Sequence, residues 1–457
     1  MNIIYDFNKV IGKIRAMHGI GQPPINGMDC DMFHYVKEAG IPYSRLHDVG
    51  GVFGNNMFVD IHNIFRNFDA DVEDENSYDF AFTDILMKEL QKINCEPIYR
   101  LGETIENYHY IKAYRIFPPK SAQKWARICE HIIKHYNYGW ANGFHMNIQY
   151  WEIWNEPDNG RDVTENQMWH GSPEEFYELY SVTAKHLKSL FGDEIKVGGY
   201  ATCGFRHILS DPKQYGVDCE RVDDECYSKE RSKNFLDFFE GFFEYIKKNS
   251  APIDFLSWHS YLTTDRTVVC SEYLDRRLNE LGYGSLETHV NEWNNVYEDR
   301  EDKDKAEKIA REERGTSLAA AKTLSMMCAM QNTKTKILCY YDARLGISYY
   351  GGMFNPLTRE PFPLYYAFVA FNELYKLGNQ VDVKMDKVQG IYSLAAKNGN
   401  EIAVVIVNTS EISQNIKTNL DNNLKAFTLE EGKNLEEIEI NNQDFSLLPG
   451  AFMLIRT

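Results

Sequence analysis

Nowhere in the 457 residues does an uninterrupted apolar run approach the ~20 residues of a membrane-spanning helix, so no membrane partner is expected. Basic residues are in deficit: 49 Lys and Arg against 67 Asp and Glu leave a formal charge of −18. No Lys/Arg cluster interleaved with aromatics offsets it, and a surface of that sign repels phosphate backbones. Nucleic acid is therefore not an expected partner. The nine cysteines contain no C-x-x-C pair, and an odd number cannot all be bridged within one chain. The stretch Met1-Asn2-Ile3-Ile4-Tyr5-Asp6-Phe7-Asn8-Lys9 has no basic segment followed by a long apolar one, so a cytoplasmic protein with reduced thiols is expected.

Several catalytic signatures are missing too. There is no G-x-S-x-G elbow, and Gly50-Gly51-Val52-Phe53-Gly54 has neither dinucleotide-binding spacing nor a Walker lysine. His131 and His135 sit four apart, but Ile132 follows His131 where a zinc protease needs Glu, and an exposed helix face is expected there. Aromatic residues, by contrast, are plentiful. They make up 14% of the chain, with 29 Tyr, 26 Phe and 7 Trp, enough for a large core and for sugar-stacking surfaces.

From about Lys13 to Leu377, short β-type runs alternate with longer amphipathic ones, the pattern of parallel strands joined by helices. The strands fall near 14–18, 43–46, 96–101, 150–154, 196–199, 255–259, 287–291 and 337–341. Helices are suggested over 28–39, 79–92, 121–136, 173–190, 232–248, 275–281 and 316–330, where apolar residues recur every three or four. This is an α/β chain whose first 377 residues are expected to form a (β/α)8 TIM barrel. The mixed-charge run Glu298–Arg314 reads as a solvated loop. After a helix over 363–377, with Tyr365, Phe368, Phe371 and Leu374 on one face, only strands follow. Asn398-Gly399-Asn400 marks a hairpin. Residues 378–457 are expected to form a small C-terminal antiparallel β-sandwich.

Two strand ends carry the chemistry. Trp154-Asn155-Glu156-Pro157-Asp158 follows the fourth strand, and Asn291-Glu292-Trp293 closes the seventh. Active sites of such barrels lie at the C-terminal ends of the strands, so the two glutamates can meet although far apart in sequence. Two carboxylic acids are what glycoside hydrolysis requires: one protonates the leaving oxygen and one attacks the anomeric carbon. Their environments must differ. Glu156, between Trp154 and Pro157, is expected to keep its proton in apolar surroundings, and Glu292 to be held ionised by a donor such as Tyr261 or a cation such as Arg45.

The segment Trp151-Glu-Ile-Trp-Asn-Glu-Pro-Asp158 resembles the acid/base signature of family-39 glycoside hydrolases. The resemblance implies Glu156 as acid/base, Glu292 as nucleophile and Asn155 as the amide that contacts a sugar hydroxyl. Tyr43-Ser-Arg-Leu-His47 is similar to the family's second-strand segment, where a His binds substrate, and Trp258-His-Ser-Tyr261 to its sixth-strand His-x-Tyr. Arg45, His47, His259, Tyr261, Trp293, Tyr341 and Asp342 are thus candidate sugar contacts. Two segments depart from the xylosidase branch: Cys339-Tyr-Tyr-Asp-Ala-Arg344 at the eighth strand, and Asp48-Val-Gly-Gly-Val-Phe-Gly54, which lacks an expected acidic pair. The expected activity is retaining cleavage of a terminal glycosidic bond in short oligosaccharides, β-xylosidase-like, with no cofactor. Arabinosidase, galactosidase or iduronidase specificity is the alternative within the class, and a non-catalytic carbohydrate-binding protein the alternative outside it. The family resemblance also implies a homo-oligomer associated through the accessory domain.

Overall fold

The computed structural model describes the chain apart from residues 25, 28–29, 49–58, 105–115, 161–165, 222–228, 295–311 and 346–349. Most of the mixed-charge run after residue 298 and the glycine-rich segment 50–54 lie outside the described residues. The helix expected over 28–39 is shorter, Phe33–Glu38, because Cys30–Asp31 pairs instead with Asn26–Gly27 as a short antiparallel ribbon.

Eight parallel strands close into a barrel in chain order: Ala16–Gly21, Tyr43–Leu46, Glu96–Leu101, Tyr150–Ile153, Lys196–Thr202, Phe255–Ser260, Glu287–Trp293 and Ile337–Tyr341. Closure comes from the eighth strand pairing with the first, Ile337 opposite Ala16 and Tyr341 opposite Gly21. Alternation along each strand sorts the side chains. Leu46, Tyr99, Trp151, Val197, Leu256, Val290 and Leu338 join the large core with the helices. Their neighbours Ile98, Tyr150, Phe255, Ile337 and Cys339 fill the barrel axis as a separate apolar plug. Gly198 is required in this layer, since a Cβ there would stand 2.2 Å from the Phe255 carbonyl oxygen.

The surrounding helices carry the stop and start chemistry their sequences suggest. Ser172 and Glu175 form a reciprocal capping box, with Pro173 opening the helix Pro173–Phe191. Ser121 caps Ala122–Tyr138, which ends on left-handed Gly139. The sequence pattern starts the helix before the seventh strand at Asp275, whereas the structure starts it at Thr264. Its first turns bury Thr264, Thr267 and Ser271 beside Cys270, so the apolar pattern there is diluted by hydroxyl residues. His131 and His135 correct another expectation. Both are 2% exposed, packed against Trp140 and Phe80 instead of forming an exposed face.

The second sheet has nine strands. Ile391–Asn398 and Glu401–Asn408 form the expected hairpin around Gly399. Val405 and Val407 face the barrel helices Ser317–Gln331 and Tyr365–Leu377, whereas Val404 and Ile406 face a second core with Ile416, Phe445 and Met453. The sheet thus has one side on the barrel and curls over its own interior on the other. The sequence pattern assigns residues 1–377 to the barrel, but Asn2–Lys13 belongs to this second sheet. It runs antiparallel to Asn379–Met385 and parallel to Gln414–Thr418. Ile3 and Tyr5 enter the second core; the opposite face is solvated, so the run alternates as a sheet strand does.

That register is testable. Ile3 is fully buried and Ile4 is 52% exposed. Ile3→Ala is expected to cost about 2–5 kcal/mol, and Ile4→Ala less than about 0.5 kcal/mol, in chemical denaturation. Equal losses would mean the strand is wrongly registered.

Candidate active site

The glutamates at the ends of the fourth and seventh strands face each other. An oxygen of Glu156, an oxygen of Glu292 and a ring nitrogen of His259 all lie within 4.8 Å of one another. The seventh strand achieves this through an irregularity after Val290, between Val290 and Trp293 against the eighth strand and between Val290 and Glu292 against the sixth. Such bulges re-aim side chains near active sites: here consecutive residues Asn291 and Glu292 both contribute to the interior. Around the mouth, Gln22, Asp48, Trp154, Glu156 and Ala201 all adopt positive φ, a sparsely populated conformation that surrounding contacts must sustain. The Trp154 indole, which donates to the Met168 carbonyl at 2.9 Å, and Asn166, which donates to the Pro157 carbonyl at 2.6 Å, supply them.

Glu292 is 5% exposed and receives two strong donors. Arg45 Nη1 contacts Oε1 at 2.6 Å, and the Tyr261 hydroxyl contacts Oε2 at 2.7 Å. The same guanidinium reaches Glu152 through Nε at 2.6 Å and the Asn155 side-chain oxygen through Nη2 at 2.7 Å. Burial opposes the Arg45 charge, but Glu152 and Glu292 more than offset it and hold the guanidinium's pKa above its ordinary value.

Glu156 sits differently from the apolar setting expected for it. Its Oε1 lies 2.6 Å from His259 Nδ1, and Asn159 donates to Oε2 at 2.7 Å. Burial pushes this carboxyl up, but His259, Arg206 and Asn159 outweigh it and hold it below the usual carboxylate range. The same His259 Nδ1 is also 3.3 Å from Glu292 Oε2. Asp158, two residues on, behaves oppositely. Burial and the Glu156 charge push its carboxyl up to about 6, although Thr202 and the Cys203 amide both donate to it.

Residues 32–300 match the family described as Glycosyl hydrolases family 39. The chain belongs to that family. It is 26% identical over 261 residues to a beta-xylosidase of Caldicellulosiruptor saccharolyticus, a match covering 55% of this chain and 43% of that protein. The chain thus aligns with under half of that relative's length. The fold is similar to a solved glucosidase from Croceicoccus marinus, at a TM-score of 0.71 and 17% identity, covering 100% of this chain and 98% of that one. It is also similar to a monomeric beta-xylosidase from Caulobacter crescentus CB15, at a TM-score of 0.69 and 15% identity, covering 100% and 99%.

In this family-39 chain the structure gathers Arg45, His47, Asn155, Glu156, His259, Tyr261 and Glu292 at one site. Tyr341 joins its edge: the hydroxyl donates to Asp48 at 2.8 Å, and the ring packs with Tyr261 and Tyr350. Two candidates are placed differently. Trp293 is fully buried against Tyr340 in the outer core, because the bulge that turns Glu292 inward returns the next residue to the helix side. Asp342 is fully buried, and its carboxylate pairs with Arg344 Nη2 at 3.0 Å. Sequence reasoning missed Glu152, Asn291 and Arg100, all fully buried. The available signal was a charged residue at an inward position of an otherwise apolar strand, as in Tyr150-Trp-Glu-Ile153 and Ile98-Tyr-Arg-Leu101.

The raised Asp158 pKa has a definite sign. The folded state keeps a proton that the unfolded chain releases near pH 4, so its contribution is full below about pH 4 and is lost as pH rises to about 6. Asp158→Asn is expected to remove up to about 3 kcal/mol of that slope, read as the difference in Tm between variant and parent from pH 4 to 7. A difference that does not vary with pH would place the Asp158 pKa in the ordinary range.

Proposed function

We propose that this chain is a retaining glycoside hydrolase that removes a terminal sugar from short oligosaccharides by double displacement. The observation that carries the reading is the close approach of the Glu156 and Glu292 oxygens, within 4.8 Å. Retaining enzymes hold their carboxyls about 5–5.5 Å apart, whereas inverting ones leave about 6.5–9.5 Å for a water.

Glu292, gripped by Arg45 and Tyr261, attacks the anomeric carbon as the bond to the leaving oxygen breaks. The proton of the His259–Glu156 pair passes through Glu156 to that oxygen. The departing alcohol frees space for water, Glu156 takes a proton from it, and the resulting hydroxyl oxygen displaces Glu292 from the sugar. Asn155, its oxygen held by Arg45, keeps its NH2 free to donate to a sugar hydroxyl. The preferred substrate is a β-linked pentoside such as a xyloside, supported by the beta-xylosidase name of the Caldicellulosiruptor relative. Activity across an aryl-glycoside panel would instead select an arabinosidase, galactosidase, glucosidase or iduronidase. A carbohydrate-binding role without turnover leaves unexplained why two acids should flank the reacting bond.

Glu292→Ala is expected to lower kcat by about 10⁴-fold or more, and added azide to yield a glycosyl azide of inverted configuration by chromatography. Residual turnover near the parent's would end the nucleophile assignment. For Glu156→Ala the loss should be small with good leaving groups and about 10²–10⁴-fold with poor ones; uniform losses across an aryl series would contradict the acid role.

A further inference from the structure

Behind His47 stands a buried assembly that no step above uses. Arg100, on the third strand, follows Tyr99, which is opposite Leu46, so Arg100 and His47 are neighbours across two strand ends. Arg100 Nε donates to His47 Nδ1 at 3.2 Å. Its Nη2 bonds Asp60 and, at 3.2 Å, the Thr104 hydroxyl. Thr104 in turn holds both Asp60 oxygens, through its amide at 3.0 Å and its hydroxyl at 2.7 Å. None of these side chains is accessible: Arg100 and Asp60 are fully buried, Thr104 is 1% and His47 2% exposed.

We propose, on the reading of this site as a retaining glycosidase, that Arg100 is a positioning residue that keeps His47 in the tautomer with Nδ1 bare and Nε2–H turned toward the nucleophile. A guanidinium has only donors, so the nitrogen facing it must accept, and in a neutral imidazole the proton then resides on Nε2. That nitrogen lies 3.3 Å from Asp48 Oδ2 and 3.9 Å from Glu292 Oε1, where it can donate to a sugar hydroxyl placed between the carboxylates.

The charged and titratable groups around His47 come from several elements. Arg100, Arg45, His259 and Arg344 disfavour a second proton on it, whereas Asp48 and Glu292 attract one. Burial first, and then Arg100 ahead of the other cations, hold its pKa well below the ordinary histidine value. Without Arg100 the two carboxylates gain influence and His47 becomes protonatable. A second cation beside Glu292, added to Arg45, would stabilise the carboxylate before attack and slow the first step.

The test uses the full chain with 15N-labelled histidine, assigning His47 by its loss in His47→Gln. In the parent, His47 is expected as the Nε2–H tautomer with no titration between pH 5 and 8. In Arg100→Gln combined with Asp60→Asn, which leaves no unpaired buried carboxylate, it should titrate within that range. The acid limb of the kcat profile should rise by about one pH unit, so that kcat at pH 5.5 falls about tenfold while that at pH 8 stays within about threefold. A parent spectrum with the proton on Nδ1, or with ordinary titration, overturns the proposal even if the double variant fails to fold. So does a folded double variant whose His47 signal and pH profile match the parent's, because a merely structural Arg100 would alter stability alone. A parent with the expected spectrum but no activity on any glycoside would sink the glycosidase reading and leave the Arg100–His47 contact standing.

Discussion

The Arg45 guanidinium ties three parts of the barrel into one site. From the second strand it spends Nε on Glu152 of the fourth, Nη1 on Glu292 of the seventh, and Nη2 on Asn155 just past the fourth. Burying three charges costs several kcal/mol per ion, and the cost is recovered only with good geometry and further hydrogen bonds. Here Asn291 satisfies the other Glu152 oxygen and Tyr261 the other Glu292 oxygen. One guanidinium thus joins two carboxylates and an amide at the mouth of the barrel.

Against that fixed frame the two glutamates acquire different surroundings. Glu292 meets an arginine and a tyrosine on a rigid strand, whereas Glu156 sits just past a strand end at positive φ and meets His259 and Asn159. Backbone in that region costs of order 1–3 kcal/mol per residue. The loop beyond Glu156 sustains it, with Trp154 anchored to Met168 and Trp169. His259 touches both carboxylates from the sixth strand, so the pair is coupled through one imidazole. Polar partners, and not an apolar pocket, thus hold the Glu156 carboxyl below its usual range.

Much of the fold is legible in the strands themselves. Tyr43–Leu46, Glu96–Leu101 and Ile337–Tyr341 match the expected runs because buried parallel strands are short, apolar and bounded by turn residues. The N-terminal strand was missed because its partners, Asn379–Met385 and Gln414–Thr418, are distant in sequence. Sheet membership is a property of pairing that no local pattern records. The first turns of the helix Thr264–Leu281 escaped for a different reason: a helix can bury threonines and a serine when its neighbours offer hydroxyl partners, as Ser325 does for Thr264.

At the site, the identities of the two candidate acids follow from the chain alone, because an acid after an amide at a strand end occurs twice, as Asn155-Glu156 and Asn291-Glu292. Their states do not. Whether Glu156 keeps a proton depends on His259 lying 2.6 Å away. Whether Trp293 faces sugar or core depends on a bulge one residue earlier. Whether His47 donates from Nε2 depends on an arginine of the neighbouring strand. Local sequence determines which groups can ionise and where a strand ends. Only the closed barrel decides which groups lie within hydrogen-bonding distance, because electrostatic and hydrogen-bond energies fall off within a few ångströms and the partners come from strands scattered along the chain.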